Sequence, residues 1–381
     1  MTIDFTDHAV PHVSTVPANQ GQTVELFMRE RDGTPSSGLP NSRKAVLALN
    51  SRSVPVLAGF DLQYGTYSWA DALAQAGFDV FMLDLQGSGM SPRPKVMDDP
   101  CNVGFSAGQD WTLLQPPLTG PCTTASYPFQ LNNSHSDEDE LATVVDYILN
   151  QLPVDELHFI AWSAAARVMV PYVIKNPTVV KSLFLMAPSF PPAGWRDPPA
   201  VLPMPGFPTL LLTKEGLAHT WDPEALLCAD QREDGMVDVV WDAIMDNDPL
   251  GRTWGAGVDH YRNAVWWGLN KDTVAQSELG QDVPVCIVYG ENDKLANTDP
   301  PDPSKPNTNF SVPALYDALP KVPDDHSVMI KVACAGHNMP WERQHTNLHD
   351  LSSEWLESQT VDGGRVSSGV HYMDENGVLD P

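Results

Sequence analysis

The sequence predicts an α/β protein: a mostly parallel central sheet flanked by helices, with a helical segment inserted near one edge. Three observations predict it. Short apolar runs of β-type composition recur along the chain, they alternate with stretches of helical period, and two long Pro- or Trp-rich excursions interrupt the alternation. The runs fall at 45–50, 79–85, 156–162, 181–188, 208–212, 283–290 and 327–334. Most are apolar at successive rather than alternate positions, as burial on both faces requires. Between them, 67–77 reads as a helix closed by Gly77, which suits a C-terminal cap. Residues 136–152 begin with Ser136 and Asp139 in capping-box-like spacing and continue at helical period. Residues 164–176 form a third helix. Such alternation implies right-handed crossovers within one open sheet.

The excursions set the expected organisation. A first core part covers 1–188 and contains the Pro-rich insertion 92–133; a cap covers 189–280; a second core part covers 281–358; and a polar, Gly-rich, loosely held tail covers 359–381. Long excursions from the carboxyl edge of a parallel sheet are where lids and pockets form. Six of the eleven tryptophans fall in 189–280. Trp221, Trp254 and Trp266 are therefore candidates for lining a ligand pocket, against the alternative that they are only the cap's own core.

Composition excludes several function classes. The chain has 381 residues with 22 Lys+Arg against 49 Asp+Glu, a net charge of −27, which repels nucleic acid and anionic membrane surfaces. The N-terminal stretch carries acids and prolines and has no apolar h-region, and no run approaches the roughly 18 apolar residues that span a bilayer. The expectation is a cytoplasmic protein with no nucleic-acid or membrane partner. Five cysteines do not make a disulfide framework in so long a chain. Cys101 and Cys122 could staple the Pro-rich insertion, Cys286 reads as a buried thiol, and a Cys101–Cys122 or Cys228–Cys334 bridge would favour an oxidising compartment. There is no CxxC, HExxH, GxGxxG or P-loop motif, so neither metal nor cofactor is expected.

The chemistry concentrates at three strand ends. In HFIAWSAAARVMV (158–170) a buried strand runs into small residues and then a helix, with Ser163 at the bend. A serine on such a turn is pushed out of the sheet edge, and the helix aims its N-terminal N–H groups at the same point. An oxyanion formed there would meet the N–H of Ala164. The alternative is an ordinary serine N-cap. The run 283–290 ends in Glu291 and Asp293, and the run 327–334 ends in a loop carrying His337. A serine hydroxyl becomes nucleophilic when a neutral imidazole takes its proton, so His337 is the candidate base. A buried carboxylate fixes the imidazole tautomer, with Asp293 preferred and Glu291 as the second candidate.

These residues, together with Leu83-Asp84-Leu85-Gln86-Gly87-Ser88-Gly89-Met90-Ser91 and the segment 60–81, resemble the α/β-hydrolase superfamily over roughly 24–358, as a serine esterase-like member with a large cap. The resemblance implies the α/β-hydrolase fold and a Ser163–Asp293–His337 triad. It carries the second oxyanion donor onto the backbone N–H of Arg52. Asn50 and Ser51 stand where the family has His-Gly, and Ala161 and Ala165 replace the usual elbow glycines. Serine at the elbow favours acyl chemistry. Trp162 and the cap tryptophans then suggest a small-molecule apolar or aromatic ester or lactone, cleaved through an acyl-enzyme. The alternatives are a non-hydrolytic ligand-binding or degenerate α/β-hydrolase and a biosynthetic acyltransferase or thioesterase.

Overall fold

The computed structural model describes residues 4–33, 43–104, 111–194, 202–267, 272–296, 311–320 and 326–380. The chain opens with an antiparallel hairpin of β1 (Phe5–Val13) and β2 (Thr23–Arg31). β3 (Lys44–Leu49), α1 (Val56–Phe60), α2 (Trp69–Gln75) and β4 (Asp79–Leu83) follow. After the Pro-rich insertion come β5 (Asn132–Asn133), α3 (Ser134–Gln151), β6 (Glu156–Trp162), α4 (Ala166–Lys175) and β7 (Leu183–Met186). The second excursion holds β8 (Thr209–Leu212), α5 (Lys214–Ala225), α6 (Met236–Met245), β9 (Tyr261–Ala264) and β10 (Trp266–Trp267). The chain closes with β11 (Val285–Gly290), α7 (Val312–Ala318), β12 (Ser327–Val332), α8 (His345–Ser358) and β13 (Gly369–Met373).

Among the described residues, nine strands form one sheet in the order β1-β2-β4-β3-β6-β7-β11-β12-β13. Within it, pairing is parallel from β4 through β13 and antiparallel at β1–β2 and β2–β4. β4, β7 and β11 are buried along their whole length, which is why their sequences read as unbroken apolar runs. α2 packs on α8, and Trp69 ties them by donating from Nε1 to Ser352 Oγ at 2.8 Å. Gly77 has φ 99°, the left-handed conformation that its position after α2 requires.

Four features differ from the sequence expectations. α3 begins at Ser134 under an Asn133 cap, and Ser136 is the reciprocal partner in that capping box rather than the cap itself. The run at 208–212 does not join the main sheet: β8 pairs antiparallel with β9, because the edge of β7 it would have used is occupied by β11. The segment after Gln359 is not a loose tail. β13 extends the sheet along β12, and Tyr372 N–H donates to Asp380 Oδ1 at 2.8 Å. The hairpin β1–β2 was not legible because its strands mix His, Pro, Asp and Arg into the apolar pattern.

The two excursions pack on each other and on the sheet. Val103, Leu114 and Trp254 form a small apolar cluster between them. Residues of α5 and α6, including Leu217, Trp221, Val240, Trp241 and Ile244, belong to the same apolar core as the sheet strands. Cys101–Cys122 closes the Pro-rich insertion, and Cys228–Cys334 joins the segment after α5 to the loop after β12. Cys286 is a buried free thiol. Among the described residues, no helix is long and apolar enough to cross a membrane.

Candidate active site

β6 is buried through Trp162, and the chain then turns sharply at Ser163, which has φ 58°. A non-glycine residue held there costs roughly 1–2 kcal/mol, and it persists only where its surroundings enforce it. Here the enforcement comes from the strand on one side and, on the other, a single 3-10 turn over Ser163–Ala165 leading into α4. The flanking Ala161 and Ala165 are both buried, so small size is what the turn demands of them.

His337 and Asp293 arrive from the loops after β12 and β11. The backbones of these loops are laced together: Asn292 N–H donates to Ala335 O at 2.8 Å, and Gly290 lies so close that a Cβ would sit 2.2 Å from Ala335 O. His337 Nδ1 donates to Asp293 Oδ2 at 3.0 Å, and its Nε2 accepts from the Ser163 hydroxyl at 2.9 Å. Asp293 is 2% exposed. Its Oδ1 also accepts the N–H groups of Leu295 and Ala296, at 2.8 and 2.7 Å, which fixes the carboxylate plane. Glu291, the other candidate acid, is exposed, and Tyr372 OH lies 3.5 Å from its Oε2. Burial opposes a charge on His337, but Asp293 with Glu224 and Glu342 outweighs it, so the imidazole pKa is raised.

Beside the serine, a small cavity of about 70 Å³ is lined by Leu49, Asn50, Ser51, Arg52, Leu85, Asp137, Ala164, Ala165 and Val168. Both expected oxyanion residues, Ala164 and Arg52, therefore border one space. The turn carrying Arg52 is held by Ser51 N–H to Asn50 Oδ1 (2.7 Å) and by Ser88 Oγ to Arg52 O (3.1 Å). The Arg52 guanidinium is spent on Asp137 and on the Gln86 carbonyl. Asp84, from the motif after β4, braces the start of α1 by accepting Val56 N–H at 2.8 Å.

The tryptophans are placed differently from the expectation. Trp162 is 2% exposed, stands edge-on to Trp341, and donates from Nε1 to His337 O at 3.1 Å. Trp221 is fully buried and donates to Glu342 Oε1 at 2.7 Å. Trp254 is 2% exposed under the Arg262 guanidinium. Trp162 and Trp221 serve the core and Trp254 the small cluster between the excursions, because an indole sealed on all sides offers no face to a ligand. The side chain of Trp266 lies outside the described structure; its backbone pairs with Asn132. Sequence reasoning missed Glu224 and Glu342, two buried acids that grip the His337 loop. Nothing in the sequence separates them from the other acids of the chain.

Residues 56–299 match a family model described as alpha/beta hydrolase fold. No curated protein matches the chain. Among solved structures, it is similar to a serine hydrolase of the polyaromatic hydrocarbon-degrading bacterium Cycloclasticus zankles (13% identity, 93% of this chain and 98% of the other, TM-score 0.49). It is also similar to a thermophilic esterase from Thermogutta terrifontis (15% identity, 92% and 98%, TM-score 0.47). A third is the 2-hydroxy-6-oxo-6-phenylhexa-2,4-dienoate hydrolase of Rhodococcus sp. strain RHA1 (13% identity, 94% and 100%, TM-score 0.46).

Proposed function

The chain belongs to the alpha/beta hydrolase fold family, and from that premise we propose that it is a serine hydrolase that cleaves a carboxylic ester or lactone through an acyl-enzyme on Ser163. The observation that carries the reading is the continuous hydrogen-bonded series Ser163–His337–Asp293. His337 Nε2 takes the hydroxyl proton as Ser163 Oγ attacks the carbonyl carbon. The carbonyl oxygen becomes an oxyanion facing the N–H groups of Ala164 and Arg52. The imidazolium, stabilised by Asp293, returns the proton to the leaving alkoxide, and the C–O bond breaks. Water then attacks the acyl-enzyme, with His337 again as base, releasing the acid and restoring the serine.

The burial of Trp162, Trp221 and Trp254 removes these three as aromatic contacts for a substrate. What supports an apolar acyl group instead is the lining of the small cavity by Leu49, Leu85, Ala165 and Val168. The excursion 189–280 is proposed as the cap, since α5 sends Glu224 to the His337 loop. The two disulfides favour an oxidising compartment over the cytoplasm, where thiols are kept reduced. The test is turnover of a graded panel of short aryl esters and lactones by the wild type and by Ser163→Ala. The wild type should turn over at least one of them and the variant none. A wild type inert across the panel, or activity surviving Ser163→Ala, counts against the reading.

A further inference from the structure

We propose that Glu224 is a positioning residue: reaching in from α5, it ties the loop bearing His337 to the loop bearing Asp293, while Glu342 grips the His337 loop alongside it. The inference rests on the serine-hydrolase reading of this site. Glu224 is 1% exposed. Its Oε2 accepts the backbone N–H of His337 at 2.7 Å, and its Oε1 accepts that of Lys294, the residue after Asp293, at 2.8 Å. One carboxylate thus sets the spacing of two loops whose side chains must meet at 3.0 Å. Glu342 accepts Gly336 N–H at 2.6 Å and is itself held by Trp221 Nε1 and Gln231 Nε2, at 2.7 and 2.9 Å. Gly336 is what lets both acids close in. A Cβ there would lie 2.7 Å from Glu224 Oε2 and 2.9 Å from Glu342 Oε1.

Two acids buried side by side are a costly way to hold a loop, since each must shed its hydration. The cost shows in their titration: burial raises the Glu224 carboxyl pKa and pushes that of Glu342 up to about 7. The compensating gain is at the imidazole. Among the described residues, the charged groups facing His337 are Asp293 after β11, Glu224 of α5 and Glu342 after β12, and all three favour the imidazolium that forms as Ser163 attacks. The Lys294 ammonium turns away, to Pro223 O at 2.8 Å. The same segment is tethered covalently, because Cys228 follows α5 and Cys334 precedes His337.

Glu224→Gln keeps the shape, removes the charge and sets an amide N–H against one of the two backbone donors. The His337 pKa is read by NMR titration of labelled histidine, alongside the pH profile of fluorophosphonate labelling at Ser163. With less negative charge nearby the imidazolium is less stable. The His337 pKa and the acid limb of labelling should therefore both move to lower pH, and the plateau rate should fall on the order of 10- to 100-fold as the loops lose register. Glu342→Gln leaves both Glu224 bonds in place and should move the limb the same way by less; if Glu224→Gln does not fold, Glu224→Asp, which keeps the charge but is one methylene too short to reach both N–H groups, decides the matter through the plateau rate. A merely structural role would lower the melting temperature and leave the pKa where it was. An unchanged His337 pKa and labelling rate in a folded variant would overturn the proposal. If the wild type does not label at all, the serine-hydrolase reading fails, and the NMR titration still decides whether Glu224 governs His337.

Discussion

Replacing Cys228 and Cys334 together by serine acts on the site from outside it. The bridge joins residues 106 apart in sequence, whereas Cys101–Cys122 joins residues 21 apart. A cross-link removes loop-closure entropy from the unfolded chain as the logarithm of loop length, which gives about 5 kcal/mol for the longer loop and about 3 kcal/mol for the shorter. With an unfolding entropy of roughly 2.1 cal/mol/K per residue, a chain of 381 residues loses about 6 °C of Tm in the first case and about 4 °C in the second. The variants should differ more sharply at the active site. Cys334 lies three residues before His337, so freeing it loosens the loop that presents the imidazole, while the Cys101–Cys122 bridge staples the insertion between β4 and β5. Thermal melts of both double variants, with Ser163 labelling rates measured in parallel, test this. The Cys228/Cys334 variant should melt lower and label several-fold more slowly, as misplaced catalytic groups do. An equal or larger loss from the Cys101/Cys122 variant, or wild-type labelling without Cys228–Cys334, would show that this bridge does not hold the His337 loop.

Three further outcomes are expected. Asp293→Asn should reduce kcat on the order of 10⁴-fold, because the amide no longer enforces the productive tautomer, while Glu291→Gln, exposed and away from His337, should leave it unchanged; ester hydrolysis kinetics decide between them. Arg52→Met strands the buried Asp137 carboxylate and should cost about 3–5 kcal/mol in denaturant unfolding, most of it regained when Asp137→Asn is added; a loss under about 1 kcal/mol would contradict the pairing. Burial lowers the His349 pKa to about 3, so the unfolded chain takes up a proton near pH 6.5 that the folded chain refuses, and this stability is lost as pH falls from 6.5 toward 3. His349→Phe should lose less across that window, as melts at several pH values would show.

Much of this arrangement was legible in the sequence where the physics is local and repeated. β3, β4, β6, β7, β11 and β12 announce themselves because a strand buried on both faces has no room for alternation. Ser163, Asp293 and His337 could be singled out because each follows the carboxyl end of such a strand. Alanine for glycine at the elbow did not hide the turn, since Ser163 itself takes the positive φ and its neighbours need only be small. The choice between Asp293 and Glu291 could not be read, because the two are two residues apart and only burial separates them. The tryptophans misled for a related reason. Composition reports how much aromatic surface must be covered, not whether protein or ligand covers it, and Trp162, Trp221 and Trp254 are covered by protein. β13 escaped notice because an edge strand needs few apolar residues. Glu224 and Glu342 derive their importance wholly from contacts made across the fold.

Acylation of Ser163 with His337 as its base leaves a covalent intermediate that can be caught in time. Rapid-quench intact mass spectrometry after mixing with p-nitrophenyl acetate looks for it. An acetyl adduct that maps to Ser163, forms in a burst, and disappears in both Ser163→Ala and a folded His337→Gln is the predicted result. Turnover of the ester with no adduct at any time, or an adduct on another residue that persists in Ser163→Ala, would contradict it.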